Sequence, residues 1–291
     1  MRYQFVQKEK KAFPISTLCR VMQIHRGSYY AWVNREESKT NQENRKMIRS
    51  VKLTHSKAKG SYGARRHADE LTDQGFSCGR SRAKTIMKLA GVEAKQKKKF
   101  KATTDSNHTR EIFPNFLRRA FTVSRPNKVW VSDITYIWTT TGWLYLAVVI
   151  DLFNREVVGW SLGERIDRHL VIGATRMAVW KQKPGEGLIF HSDRGSQYCS
   201  NDFKEYIAGH KILGSMSRKG NCWDNAVAES FFGSLKKERV HSMNYKNRAE
   251  AKADIIEYIE MFYNSFRRHC HLGNKSPREF MRNWQKQKIV A

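Results

Sequence analysis

Acidic residues are scarce in this chain: 27 Asp and Glu stand against 54 Lys and Arg, for a formal net charge of +27 over 291 residues and a pI near 10.1. That imbalance points to a polyanionic partner, a nucleic acid or an anionic membrane surface. Long apolar runs are missing, none approaching the ~18 residues that cross a bilayer, and the opening Met-Arg-Tyr-Gln-Phe-Val-Gln-Lys has no signal-peptide core. A cytoplasmic, nucleoid-associated protein is therefore expected, with no membrane partner. Cysteine is sparse as well. Cys19, Cys78, Cys199, Cys222 and Cys270 are odd in number and at least 23 positions apart, which argues against a disulfide framework or a zinc knuckle and fits a reducing compartment. His269-Cys270-His271 has no companion cluster to complete a metal site, so it reads as a helix end on the surface.

What positive charge there is lies mostly in front. Residues 1–130 hold 30 of the basic and 10 of the acidic residues, so the front half grips the polyanion and the back half carries the acids. Residues 1–40 read as a small helical module. Ile15, Leu18, Val21 and Met22 give one apolar face, His25-Arg26-Gly27-Ser28 a turn, and Tyr29, Tyr30, Trp32 and Val33 a second helix, either a helix-turn-helix or an ordinary helical hairpin. Residues 41–94 repeat the theme. Met47, Ile48, Val51 and Leu53 open it, a second helix runs from Tyr62-Gly63-Ala64-Arg65-Arg66 through Leu71, and a third spans Ser81 to Leu89. Residues 95–127 read as a basic linker, in which Lys97, Lys98 and Lys99 either track a phosphate backbone with salt-sensitive affinity or are simply solvated.

From Lys128 the pattern changes to strands. Residues 129–138, 143–153 and 156–162 alternate as an antiparallel meander, with turns at Thr140-Thr141-Gly142 and Asn154-Arg155. Then follow a helix marked by Leu170, Ala174, Met177, Ala178 and Trp180, a strand at 187–192, a helix from Ser200 to Gly209, a short strand at 212–216 and a helix carrying Glu229. That order predicts an α/β, ribonuclease H-like core over residues 128–242, a mixed five-stranded sheet with helices, behind small all-α modules. The extension 243–291 carries a last helix from about Arg248 to His269, packed through Ala251, Ile255, Ile259, Phe262 and Phe266.

Three acids stand out within that core. Asp133 sits inside Trp130-Val131-Ser132-Asp133-Ile134-Thr135-Tyr136, where an ionised carboxylate is costly unless paired, and a divalent cation is a strong candidate partner. Asp193 follows the apolar run Leu188-Ile189-Phe190 and precedes Arg194-Gly195-Ser196, so it belongs at a strand end. Glu229 shares a helix with the buried stripe Ala228, Phe231, Phe232 and Leu235, and Glu229, Gly233 and Lys236 fall on a neighbouring face suited to a phosphate backbone. Asp151 reads as a turn residue and Asp224 as a helix N-cap.

Asp133, Asp193 and Glu229, with a lysine seven residues after the last, resemble the DDE triad of transposases and retroviral integrases. The chain is similar in particular to the second-reading-frame protein of insertion-sequence transposases of the IS-three family. The likeness is carried by Trp130–Tyr136, His191–Tyr198, Asp224–Phe232 and Ser276-Pro277, with Ser61–Arg66 extending it upstream; Asn274 departs from it, standing where an aromatic is common. The resemblance implies that the first and fourth strands are neighbours, bringing Asp133 beside Asp193, and that Arg65 and Arg66 lie on a helix near DNA, although charge alone leaves them as readily solvated. It implies metal-dependent cleavage at insertion-sequence ends followed by 3′-hydroxyl strand transfer. Asp133, Asp193 and Glu229 would bind one or two Mg²⁺ ions, with Mn²⁺ able to substitute. Lys236 would hold a phosphate, and His191 and Asn225 would support the ligands or touch DNA. Its implied partners are double-stranded terminal inverted repeats and target DNA, further copies of the chain on paired ends, and the upstream-frame protein by fusion or association. Two other readings stay open: a non-catalytic DNA-binding regulator of the element, and a ribonuclease or resolvase on the same fold.

Overall fold

Alternation of side chains decides the sheet. In β1 (Val129–Thr139) Val129, Val131 and Ile137 pack to one side while Trp130 and Ile134 pack to the other, and β2 (Gly142–Asp151) answers with Leu144, Leu146, Val148 and Ile150 against Ala147 and Val149. Both faces are apolar, so both must be covered. β3 (Val157–Gly163) completes the antiparallel meander. β4 (Ile189–Ser192) and β5 (Leu213–Met216) extend the sheet beyond β1 in parallel, giving the order β3-β2-β1-β4-β5. This is the mixed five-stranded, ribonuclease H-like sheet expected from the sequence.

The structure is a computed structural model that describes residues 1–95, 112–218 and 222–290; Lys97, Lys98 and Lys99 lie outside that description. In front of the sheet, α1 (Arg2–Glu9), α2 (Ile15–Val21) and α3 (Arg26–Val33) close around Val6, Leu18, Cys19 and Tyr29. Val21, expected on the packing face, is 68 % exposed, and His25 is a helix cap, its Nδ1 accepting from Gly27 N. The next unit, α4 (Lys39–Lys57), α5 (Ala64–Asp73) and α6 (Arg80–Ala90), encloses Met47, Val51, Leu71, Ala83 and Ile86. Its buried stripe on α4 runs Met47, Val51, Thr54 at helical spacing, which leaves Leu53 in solvent rather than inside.

One side of the sheet is covered by α7 (Arg168–Gln182) and α8 (Asn201–Gly209). The fit is closest at Gly159 on β3, where a Cβ would fall 2.2 Å from Ala174 O. The other side is covered by α9 (Ala226–Glu238) and α10 (Arg248–Glu257). The expected long last helix is not continuous. It widens to a π-helical turn over Tyr258–Tyr263 and ends short of His269, because Asn264 turns inward: its Oδ1 accepts from Val157 N (2.9 Å) and its Nδ2 donates to Val157 O (3.0 Å), closing the edge of β3. A further helix that the apolar pattern did not reveal, α11 (Pro277–Val290), starts at a proline in its first turn and packs Phe280 and Trp284 against Phe153, the latter edge to face.

Candidate active site

Register brings the first two acids together. β1 and β4 run parallel with Val129 opposite Ile189, Trp130 opposite Phe190 and Val131 opposite His191, after which the strands part. Two residues beyond the last of these pairs, Asp133 lies within β1, which runs on to Thr139, and Asp193 lies just past the carboxyl end of β4, where parallel strands open into a crevice. Each spends Oδ1 on the backbone: Asp133 on Ile134 N (2.8 Å), Asp193 on Gly195 N (3.0 Å). Burial raises the Asp133 carboxyl well above its ordinary value, and the charges of Asp193 and then Glu229 raise it further, against the pull of the Ile134 hydrogen bond and of Lys236. Tyr198 lies beneath, its hydroxyl 2.8 Å from Ser132 Oγ; burial and the same two aspartates hold the phenol protonated.

Glu229 stands in the first turn of α9, where the positive end of the helix favours an anion, and desolvation raises its carboxyl. Asn225 fixes that helix end on β1 by donating from Nδ2 to Ser132 O (3.2 Å), and its buried Oδ1 has no partner among the described residues. Two turns along α9, Lys236 places Nζ 4.8 Å from the centre of the Tyr136 ring; burial lowers its ammonium while Asp133 raises it. The donors gathered here are hard carboxylate oxygens, the type that Mg²⁺ and Mn²⁺ take. Among the described residues, however, no three acidic, histidine or cysteine side chains form a ready-made ion cage.

Other candidates turn out differently. His191 is fully buried between Ser215 Oγ (2.9 Å) and Ser217 Oγ (3.2 Å), and burial lowers it to about 4, so it is a neutral core residue that cannot reach DNA. Arg65 is exposed, whereas Arg66 lies over the Tyr62 ring and pairs with Glu238 Oε1 on α9 at 3.2 Å. Asp151 is the expected turn residue, accepting from Asn127 N and Phe153 N, and burial raises it to about 6. His269 packs on Tyr263 and His271 meets Arg155 at 2.9 Å, neighbours that do not favour a metal.

Asp224 is not the N-cap. Asn225 holds that position, and Asp224 is a buried anion clasped by Arg218 through Nε and Nη2 (both 3.0 Å), by Arg119 Nε (2.9 Å) and by Asn115 Nδ2 (3.0 Å). Hydrogen bonds from Arg218 are the main reason its carboxyl is held far below the usual range. The clasp ties the segment entering the core to the turn that launches α9. Sequence reasoning missed it because two of its three partners lie more than 100 positions upstream.

Residues 123–222 and 229–284 match the integrase core domain family, and residues 41–100 match an HTH-like domain. The chain is 44 % identical over 263 residues to an insertion element IS600 uncharacterized 31 kDa protein of Shigella sonnei, covering 90 % of this chain and 97 % of that one. It is 40 % identical over 282 residues to transposase InsF for insertion sequence IS3A of Escherichia coli K12, covering 96 % and 98 %. Among solved structures, the intasome of simian T-cell lymphotropic virus in complex with PP2A regulatory subunit B56 gamma aligns at 18 % identity with a TM-score of 0.45, over 80 % of this chain and 73 % of that one. The HTLV-2 integrase catalytic core domain in complex with magnesium aligns at 18 % identity and 0.40, over 52 % and 94 %.

Proposed function

The chain belongs to the IS3 family of insertion-sequence transposases, and from that membership we propose that Asp133, Asp193 and Glu229 form the divalent-metal centre that cuts and joins the element's DNA. As a transposase with an integrase core it is a polynucleotidyl transferase that binds DNA. The observation that supports the finer reading is the β1–β4 register, which leads toward Asp133 and Asp193, together with the Asp193 charge that helps raise the Asp133 carboxyl. Asp133 and Asp193 would hold the ions, and Glu229 would complete the shell by turning its exposed side chain inward from α9. Two Mg²⁺ ions held there, or Mn²⁺ in their place, would lower the pKa of the attacking water or 3′-hydroxyl and would neutralise the leaving oxygen.

The chain's own residues do the rest. Lys236 holds a phosphate oxygen beside the scissile bond, and the protonated Tyr198 closes the site from beneath and keeps water from behind the carboxylates. With the nucleophile a water in one step and the freed 3′-hydroxyl in the next, the same residues serve cleavage at the terminal repeat and transfer into target DNA, with no covalent enzyme intermediate. Residues 41–94 with Arg65, together with the lysines 97–99, grip duplex DNA, and holding two ends calls for a homo-oligomer, joined by fusion or association to the upstream-frame protein.

Asp193→Asn or Glu229→Gln is expected to lower Mg²⁺-dependent nicking and joining of an end-containing duplex by roughly 10³-fold or more, since several kcal/mol of charge stabilisation is lost. A gel-shift assay should show DNA binding unchanged. Joining retained in either variant refutes the centre.

A further inference from the structure

Beyond Asp133 the strand runs on into an aromatic strip that the metal centre does not use. Trp138 is 58 % exposed, and Trp143, directly opposite it on β2, is 42 % exposed. The two rings meet edge to face with centroids 4.8 Å apart, and Tyr136 meets Trp143 the same way at 5.1 Å. Lys236 lies over the Tyr136 ring, so the strip is continuous with the acid centre through that lysine. Indoles left in water as a connected group mark a contact surface.

The hairpin that carries them is firmly held. Thr140 N donates to Tyr245 O (3.0 Å) and Arg248 Nε donates to Trp143 O (3.0 Å). Gly142 adopts φ +108°, and the Arg248 guanidinium lies 2.9 Å from where its Cβ would be. The rings are therefore preorganised, with Lys236 at one end of the row and the Arg248–Glu164 ion pair (3.1 Å) at the other.

We propose that Tyr136, Trp143 and Trp138 form a platform on which unpaired DNA bases next to the cut phosphate stack, an inference that rests on reading the three acids as a DNA-cleaving centre. At about 3.3 Å per strand residue, Tyr136 lies about 10 Å and Trp138 about 17 Å along β1 from Asp133, alternating to the opposite face of the strand, with Lys236 against Tyr136 linking the two sides; the span equals roughly three to five base-pair rises. Stacking on an aromatic face is open to every base, because each has a π-face. Lys236 can hold a phosphate beside the splayed bases, while Arg248, paired with Glu164 Oε2 at 3.1 Å, braces the hairpin. That pairing of aromatic faces with the adjoining Lys236 favours a nucleic-acid occupant over the apolar surface of another protein.

The test uses the full chain and an end-containing duplex carrying 5-iodouracil at one position at a time within five nucleotides of the cut, with Ca²⁺ replacing Mg²⁺ during irradiation. Photocrosslinks are expected in the peptide containing residues 136–143, lost in Trp138→Ala and Trp143→Ala and kept in Trp143→Phe. With Mg²⁺ present, each alanine variant should cleave fully paired ends about 5- to 150-fold more slowly, the range that one base–aromatic stack supplies. Trp138 is exposed enough that its removal should leave the melting temperature unchanged. Wild-type protein that cleaves normally yet never crosslinks in that peptide overturns the platform, as do alanine variants that cleave at the wild-type rate. A shift in subunit number on sedimentation without loss of crosslinks assigns the strip to a second copy and likewise overturns it. Crosslinking without any cleavage would instead keep the platform and sink the catalytic reading.

Discussion

Two glutamates on α9 live in opposite surroundings. Glu238, at the carboxyl end, is buried, which pushes its carboxyl up, but Arg267 (2.8 Å), Arg66 and the Tyr258 hydroxyl (2.9 Å) more than offset this and hold it below its ordinary value. Glu229, at the amino end, is raised by desolvation and contributes to raising Asp133 in turn. Asp224 belongs with Glu238, compensated by two guanidiniums; Asp133 belongs with Glu229, surrounded by other acids. A fold that spends arginines on structural carboxylates while leaving acids to crowd one another at a single crevice has stored repulsion there, and such strain gathers where a ligand relieves it. The two classes of acid should therefore respond to neutralisation with opposite signs.

The largest effect on stability should come from Glu238→Gln. Arg267 is almost wholly buried, so removing its anion leaves a cation out of water without compensation, at a cost of about 3–5 kcal/mol. Urea unfolding of the full chain would read that loss. A midpoint equal to wild type would mean that Arg267 finds another partner, and the contrast between the two ends of α9 would fail.

Asp224→Asn should cost less, about 2 kcal/mol, because Arg119 and Arg218 are each roughly half exposed and can return to water once the charge-assisted bonds are gone. The variant should also cleave more slowly than its stability loss explains, since the clasp sets the turn from which Glu229 projects. Measuring unfolding and nicking on the same preparation separates the two.

How far the sequence reached follows the same division. Strand alternation at Val129–Ile137 and Leu144–Ile150, and the helical stripe Ala228-Phe231-Phe232-Leu235, are local periodicities; both strands formed within two residues of their expected bounds, and a helix formed around the stripe. Asp133 drew notice because its type breaks the strand's apolar pattern, and Asp193 and Glu229 because they border an apolar run and a buried stripe. Asp224 and Glu238 were not, because their meaning lies in arginines brought from far along the chain. Arg66 illustrates the same limit: next to Arg65 in a basic helix it looks like a DNA contact, yet it is drawn against Tyr62 and Glu238 by a fold that no short window records. The break in the last helix was hidden likewise, since Asn264 leaves the helix to serve the backbone of β3, more than 100 positions upstream.

The smallest effect, and the most telling in sign, is expected from Asp133→Asn. A carboxyl raised in the folded state holds a proton that the unfolded chain has already released, so its contribution to stability is fully present below the ordinary value of 3.8 and is lost as pH rises through the raised value. At neutral pH the wild-type centre carries that penalty, and the amide removes it. Metal-free Asp133→Asn should therefore melt higher than wild type, by a margin equivalent to about 1 kcal/mol, and should lose part of the gain in stability that wild type shows on acidification. Magnesium should reverse the ranking. Ions that bind the folded state alone stabilise wild type in proportion to the logarithm of their concentration, whereas the asparagine variant, short of a ligand, should respond far less. Melting curves with EDTA and across a Mg²⁺ series at pH 7 decide the matter: an Asp133→Asn protein less stable than wild type without metal would place Asp133 with Glu238 and Asp224 as a structural acid.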